Sequence, residues 1–328
     1  TEIYTLSLHD ALPISWQKGG HQFQTGLDLE HIRKNGDKMM TMTMIMEGDT
    51  FTSINHANVW LDAVTDNAGL SGSYRFVKGN TDLTVSLRVD YNTATSADTF
   101  RLVYQGIPYF DQMHSSFLNF SFTAGLVQKI NKWLTFQAGI GRGTRSPSVL
   151  ERFIRLMPVQ YDSYDYIGNP QLKPETNHQA DLGLTMLFSE IGSVKLSGFA
   201  SMITDYITGV RLPPAAMKPA TMGSPGVKQF SNEGDAFLYG WECQYLSPPG
   251  RRWGLTVSAA GTRGIVENAT HYILSGGPVT GEEVLRHDPV PEIPPAEGSV
   301  AFFYRFFDGR LVPGMEFRLA APQNSVSV

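Results

Sequence analysis

The sequence predicts an all-β protein: an antiparallel transmembrane β-barrel, of which this chain holds only a part. Three observations favour that fold. Apolar and polar residues alternate along most strand candidates, so each strand has two unlike faces. The strand candidates come in pairs joined by short polar turns, and long loops separate the pairs. No apolar run approaches the roughly 18 residues of a membrane-spanning helix, whereas a barrel strand needs only about 9–11.

Eleven strands are predicted, and each is identified by its alternation. The first covers residues 22–32, and a long connection follows it from about residue 33 to 66. The second and third strands meet at Gly79-Asn80, where both residue types tolerate positive φ. Strands two to eleven lie around residues 68–76, 83–91, 118–126, 134–140, 182–186, 194–202, 239–245, 255–259, 300–306 and 315–319.

The connections between the strand pairs are long and rich in proline, glycine and charge. They lie near residues 94–114, 144–175, 211–234 and 266–295. Short turns at one end and long loops at the other are typical of outer-membrane barrels, whose short turns are periplasmic. Eleven strands are about half of a 22-stranded plugged transporter. Because bacterial barrels have even strand numbers, an odd number of strands is expected after residue 328 and an even number before the first.

Composition excludes several other classes of protein. Of the 328 residues, 17% are charged, below the roughly 25% usual for soluble domains. The net charge of −5 leaves no basic surface for nucleic acid. The single cysteine, Cys243, excludes an internal disulfide framework. No nucleophile–base arrangement typical of an enzyme is recognisable, and nothing in the sequence indicates a cofactor.

Residues 1–14, TEIYTLSLHDALPI, stand apart from the rest of the chain. They show no alternation that continues into the next segment, and they resemble the translation of a widely used sequencing adapter. We therefore predict that they are not native protein, as a fusion scar is not, and that residues 15–328 are the barrel part. A genuine short N-terminal strand is the alternative.

The polar face of the predicted wall carries charge, and a charged side chain avoids lipid. This places four residues in the lumen, namely Arg88, Asp90, Asp181 and Glu242. A soluble sandwich or propeller would also alternate. However, a propeller would repeat a blade signature, which is not seen, and a sandwich does not need long loops at one end only.

Two segments of the loop 144–175 carry the most specific motif, TRSPSVLERF and then GNPQLKPE. Proline fixes φ and lacks an N–H donor, so the second segment is expected to be extended. The first segment brings unlike charges together near the barrel rim. The motif residues are Arg145, Pro147, Glu151, Arg152, Gly168, Asn169, Pro170, Leu172, Lys173, Pro174 and Glu175.

These segments resemble the barrels of TonB-dependent outer-membrane receptors, with weaker similarity at Tyr239-Gly240-Trp241-Glu242 and Ile293-Pro294-Pro295. The resemblance implies a protein embedded in outer-membrane lipid of a Gram-negative-type bacterium. It also implies energised uptake of a scarce small ligand, such as a siderophore or a metal complex. In that family a periplasmic TonB-type protein pulls on an N-terminal plug domain. We expect the plug and the TonB box to be missing from this chain.

The rim charges have three possible roles under this resemblance. Arg145, Glu151 and Arg152 can pair with one another, pair with the plug, or form a solvated loop. Two other functions also stay open. A passive porin or adhesin would lack a plug before residue 15, and an outer-membrane enzyme would need a convergent Ser/His/Asp set in the lumen.

The segment KMMTMTMIMEG offers one hypothesis about the ligand. Its residues Met40, Met42, Met44 and Met46 recur with period 2, which in a strand forms a ladder of thioethers, and His56 lies nearby in sequence. Soft thioether ligands favour Cu(I), so the ladder predicts transport of copper or of a copper-containing ligand. The alternative is an apolar patch in which methionine fills gaps.

Overall fold

A computed structural model describes residues 2–46, 49–98, 102–104, 107–110, 113–158, 162–213, 215–274 and 279–323, and for some strand segments within these ranges only the backbone. The chain is almost entirely β-structure. Its strands are β1 Glu2–Lys18, β2 His21–Met46, β3 Asp49–Lys78, β4 Thr81–Thr95, β5 Leu102–Tyr104, β6 Ile107–Phe110, β7 His114–Lys129, β8 Leu134–Arg145, β9 Asp165–Ile167, β10 Glu175–Phe188, β11 Gly192–Thr204, β12 Ile207–Arg211, β13 Val227–Asn232, β14 Ala236–Leu246, β15 Trp253–Val266, β16 Ala269–Leu274, β17 Val279–Leu285, β18 Asp288–Pro289, β19 Glu297–Tyr304 and β20 Gly314–Ala320. Its helices are α1 Val149–Phe153 and a 3₁₀ turn Phe307–Gly309.

One large antiparallel sheet forms the wall of the molecule. Its strand order is β1-β2-β3-β4-β7-β8-β10-β11-β14-β15-β19-β20, with β18 paired to β15. All eleven predicted strands lie in this sheet, so the predicted architecture is confirmed. The turn between β3 and β4 falls at Gly79, whose φ of 58° supplies the positive value that the sequence predicts there.

The two faces of the wall differ as the alternation predicts. On one face large apolar side chains are exposed, for example Leu70 at 60%, Leu118 at 74% and Leu182 at 60%. Charged and small polar side chains predominate on the opposite face, whereas a few, such as Arg142 and Arg263, lie on the apolar face toward the long-loop end. An apolar face that stays exposed in the described part of the chain is suited to lipid rather than to water. Trp133 and Trp253 lie at the short-turn end of the wall, where an aromatic girdle is expected.

The long connection predicted from about residue 33 to 66 is a paired hairpin, whose strands the prediction did not extend. β2 continues to Met46 and β3 begins at Asp49, so the connection is a long hairpin. The physical reason is that Thr and Met alternate on one arm and β-branched residues are frequent on the other. The backbone groups of both arms can therefore pair with each other.

The other long loops also contain regular structure. β5 pairs with β6, and β16 pairs with β17. β12, β13 and β9 form a three-stranded sheet, in which β9 and β13 are parallel. We call α1, β9, β12 and β13 together the cap. The main apolar core lies in this cap rather than in the wall, and it includes Phe153, Tyr166, Leu172 and Phe230 together with Trp60 of β3.

Residues 2–18 form β1, which pairs with β2 from Glu2–Asp37 to Lys18–His21. The adapter origin of residues 1–14 stays a prediction. In the described ranges, no helix is both long enough and apolar enough to cross a membrane.

Candidate functional site at the rim of the wall

The motif segment 145–153 folds into a short helix at the long-loop end of the wall. Pro147 is fully buried and α1 begins after Ser148. The Ser148 hydroxyl accepts a hydrogen bond from the Glu151 N–H at 3.2 Å, and Glu151 Oε2 accepts one from the Ser148 N–H at 2.6 Å. This reciprocal capping box satisfies two backbone donors that the first turn would otherwise leave unpaired.

Arg145 holds both ends of the motif together. Its Nη1 and Nη2 donate to the two oxygens of Glu151 at 2.8 and 3.0 Å, and its Nε donates to Glu175 Oε1 at 2.8 Å. Glu175 Oε2 also accepts from the Ile207 N–H at 3.2 Å. One guanidinium therefore links β8, α1 and β10, and the two-pronged pair with Glu151 is the stronger kind of ion pair.

Burial opposes the ionisation of Glu151. The Arg145 guanidinium and the Ser148 N–H outweigh that cost, and they hold the pKa of this carboxyl below its usual range. Glu151 is thus a carboxylate at neutral pH, already paired within this chain.

Arg152 does not join the Arg145–Glu151 pair. It is buried, with 1% of its surface exposed. Its Nη1 donates to Asn92 Oδ1 at 3.1 Å and to Ser115 Oγ at 3.0 Å, while its Nε has no hydrogen-bond partner among the described atoms. Burial lowers the pKa of Arg152 to about 10, so the side chain stays protonated at pH 7. It fixes α1 to β4 and β7 on the polar face of the wall.

The second motif segment packs directly on α1. The Gly168 N–H donates to Ile154 O at 2.7 Å, and the Asn169 N–H donates to Glu151 O at 2.8 Å. Pro170 and Leu172 are buried in the cap. The Lys173 N–H donates to Asn232 Oδ1 at 2.8 Å.

Pro174, half-buried, then leads into β10, which begins with Glu175. The segment is not extended throughout as the sequence predicts, because residues 169–172 form a turn in which the Leu172 N–H donates to Asn169 O at 3.3 Å. Gly168 lets the chain cross closely over α1 before it enters the wall.

The four residues predicted to face the lumen lie on the polar face. Arg88 donates to Asp90 at 2.6 Å and to Asp28 at 2.5 Å. Two longer hydrogen bonds connect Asp90 with residues nearer the rim. Asn67 donates to Asp90 at 3.4 Å, and Asn92 donates to Asn67 at 3.5 Å. Because Asn92 also accepts from Arg152, a polar track runs from the cap down the wall.

Asp181 and Glu242 lie farther along the same face. Asp181 accepts a hydrogen bond from Gln179 at 2.8 Å. Glu242 lines two adjoining cavities of about 490 and 680 Å³, and Asp181 lines the larger of them. These two carboxylates are not part of the rim cluster.

Sequence reasoning missed a cluster on the surface of the cap. The Lys228 ammonium pairs with Asp162 at 2.7 Å and lies 4.5 Å from the ring centroid of Tyr164. Burial opposes ionisation of Asp162, but Lys228 lowers the pKa of this carboxyl below its usual range. Lys228 and Asp162 are 66 positions apart in the sequence, and no local pattern predicts that they meet. The pairing of β9 with β13 brings them together.

The predicted methionine ladder lies in β2. Backbone pairing sets Met40 opposite Asn55, Met42 opposite Ser53 and Met44 opposite Phe51. Met44 is exposed. The side chains of Met40, Met42 and Met46 lie outside the described part of the structure, so the ladder stays a prediction.

The comparisons with known proteins point to one family. The family described as "TonB dependent receptor-like, beta-barrel" matches residues 2–326. No curated protein sequence matches the chain.

Three solved structures share the fold. The copper transporter OprC aligns with a TM-score of 0.72 at 20% identity, covering 99% of this chain and 45% of that one. The hemophore receptor HasR of Serratia marcescens, solved with its hemophore HasA and heme, aligns at 0.64 and 16%, covering 98% and 52%. The FrpB iron transporter of Neisseria meningitidis aligns at 0.60 and 14%, covering 96% and 42%.

The chain thus spans about half the length of these solved structures. The family match covers nearly every residue, the wall has the expected two faces, and the rim motif folds into one connected cluster. The chain belongs to the TonB-dependent receptors, as part of their outer-membrane β-barrel.

Proposed function

We propose that this chain is the wall-forming part of a receptor that imports a scarce ligand across the outer membrane by energised transport. The observation that carries the proposal is the combination of an apolar outer face, a charged inner face and an ordered cap at the long-loop end. The cap lies where a ligand would arrive from outside. The inner face offers Asp181 and Glu242 to a plug domain supplied by the rest of the protein.

In this proposal the residues around Arg145 hold the cap in position and do not bind the ligand. The Arg145–Glu151–Glu175 group is satisfied within the chain, so it holds the cap on the wall without a further partner. We propose that a plug domain and a periplasmic TonB-type protein complete the transporter. We also propose that the complete protein is a transporter and not an enzyme, as the members of its family are.

The experiment begins by extending the coding sequence in both directions. A plug domain upstream supports energised import, and the same extension tests whether residues 1–14 derive from an adapter. The completed gene is then expressed in cells with and without the TonB-type protein. Saturable uptake that requires that protein supports the proposal. Uptake that persists without it favours a passive porin.

The ligand is a narrower proposal. The names of the similar structures mention different cargoes, namely copper, heme and iron, and the fold does not choose among them. The methionine ladder predicted for β2 favours copper or a copper-containing ligand. Changing Met40, Met42, Met44 and Met46 together to Leu in the complete protein is expected to lower copper uptake. Unchanged uptake would end the idea.

A further inference from the structure

The outer part of the β2–β3 hairpin, residues 37–58, extends beyond the neighbouring strands of the wall. We call it the ribbon. β1 stops pairing with β2 at Asp37, and β4 stops pairing with β3 at Val64. Residues 59–63 still accept backbone hydrogen bonds from Arg155 and Ala97, and within residues 37–58 the two arms pair with each other at the end of the wall where the long loops lie. Among the described side chains of the ribbon, Met39, Met44 and Phe51 are exposed.

Three potential metal ligands meet on one face of this ribbon. Met39 lies directly opposite His56 in the ladder, and Asp37 precedes Met39 by two residues, so the three side chains share a face. His56 Nδ1 lies 3.9 Å from Asp37 Oδ2, which shows that the imidazole and the carboxylate turn toward each other. All three side chains are more than half exposed.

The spacing of His56 and Asp37 suits a shared ion better than a direct bond. A hydrogen bond between them would need about 2.7–3.2 Å. Two ligands bound to one ion at about 2.0–2.2 Å in tetrahedral geometry lie roughly 3.4 Å apart. The observed 3.9 Å is therefore within a small side-chain rotation of a bridging position.

We propose that Met39, His56 and Asp37 form a copper-binding site. Imidazole suits copper, zinc, iron and nickel, while a thioether selects soft Cu(I). Zinc sites are built from thiolate, imidazole and carboxylate, so Met39 is the residue that favours copper over zinc. Within the described ranges, no three His, Cys, Asp or Glu side chains come together as a metal site, and here the thioether supplies the third ligand.

The site is separate from the methionine ladder. The ladder positions Met40, Met42, Met44 and Met46 are the even-numbered positions of β2, offset by one residue from Met39 in the backbone register. The site deepens the proposed function by giving a copper cargo a binding site on the ribbon. It depends on that function for the transport step only, because metal binding needs neither a plug nor energy.

The test measures metal binding by the whole chain folded in detergent micelles. Cu(I) is titrated against a chromophoric chelator, and Zn(II) is titrated in parallel. The variants are Met39→Leu, His56→Gln and Asp37→Asn. The first is expected to weaken Cu(I) binding about tenfold or more and to leave Zn(II) binding unchanged. The second is expected to weaken both metals, because imidazole binds both.

Two matched controls lie elsewhere in the chain. Met222→Leu removes an exposed thioether far from the ribbon in sequence, and His31→Gln removes a histidine that pairs with Asp66 at 2.6 Å. Both should keep the Cu(I) affinity of the site. The proposal is overturned if Met39→Leu and His56→Gln bind Cu(I) as tightly as the parent chain. It is also overturned if either control loses as much affinity as they do.

The two proposals fail separately. If the variants keep Cu(I) binding while the complete protein shows uptake that requires the TonB-type protein, the metal site is wrong and the transporter stands. If copper binding is lost as expected but uptake does not need that protein, the site stands and the energised transporter is wrong.

Discussion

At the scale of single residues, Glu151 has the most consequential environment at the rim. It accepts from Arg145 and from the Ser148 N–H at the same time. Its pKa is lower in the folded protein than in the unfolded chain. A carboxyl of this kind stabilises the fold above its unfolded pKa of about 4.3, and the stabilisation is lost as the pH falls through the folded pKa.

The prediction concerns the opening of the cap as a function of pH. In the parent protein, hydrogen exchange of residues 145–158 should accelerate as the pH is lowered from about 5 to 3, after correction for the intrinsic rate. In Glu151→Gln the same residues should exchange faster already at pH 7, because the variant loses hydrogen bonds to a charged donor. The free energy of opening should fall by about 1.5–3 kcal/mol, and exchange in this variant should no longer accelerate between about pH 5 and 3.

Glu190→Gln is the matched control for this prediction. Glu190 is exposed in the short turn after β10, so its replacement should leave exchange in the cap unchanged. Equal behaviour of the two variants would show that the contacts of Glu151 do not hold the cap.

At the scale of elements, the crossing of the GNPQLKPE segment over α1 depends on one glycine. A Cβ at Gly168 would lie 2.7 Å from Arg152 O and 2.8 Å from Ile154 N. Both neighbours are backbone atoms, so the clash is relieved only if the helix and the segment move apart. Gly143 in β8 has nothing within 4 Å of such a Cβ.

We expect Gly168→Ala to loosen the cap by about 1–3 kcal/mol, the usual cost of overpacking, and Gly143→Ala to change stability by less than about 0.5 kcal/mol. Limited trypsin digestion at Arg152 and Arg155 measures the effect, because cleavage there requires the cap to open. If Gly168→Ala is cleaved no faster than the parent protein, the close crossing is not important for the cap.

The long hairpin of β2 and β3 shows where element-level reasoning failed. Residues 33–66 contain Gly, Asn and Asp, which favour a loop in sequence. The structure pairs the two arms residue by residue, with a bulge near Gly36. Each arm was ambiguous by itself, and only the partner arm supplied the backbone hydrogen bonds that make it a strand.

At the scale of the whole molecule, the wall separates two solvents. Leu87 and Ser86 are neighbours in β4, at the same depth and on opposite faces. Leu87 is 52% exposed on the apolar face, and Ser86 lies among the small polar residues of the other face. They form a matched pair for testing which face meets lipid.

Leu87→Arg should destabilise the protein in phospholipid vesicles by about 2–4 kcal/mol if the site is near the bilayer midplane. Ser86→Arg should cost much less, because its side chain enters the polar side. Urea unfolding of the vesicle-bound protein measures both. Similar costs for the two variants would contradict the assignment of the apolar face to lipid.

Local sequence is sufficient to predict eleven strands of the wall, their pairing by short turns, and the two faces of the wall. These follow from period-2 alternation, which is read along the chain and needs no knowledge of distant contacts. The tertiary structure alone decided how the cap is held and which side chains meet on the ribbon. Arg152 reaches Asn92 across 60 residues, and His56 meets Met39 only because two arms pair in one register. Such contacts are set by the packing of elements that lie far apart in sequence, and no local pattern records them.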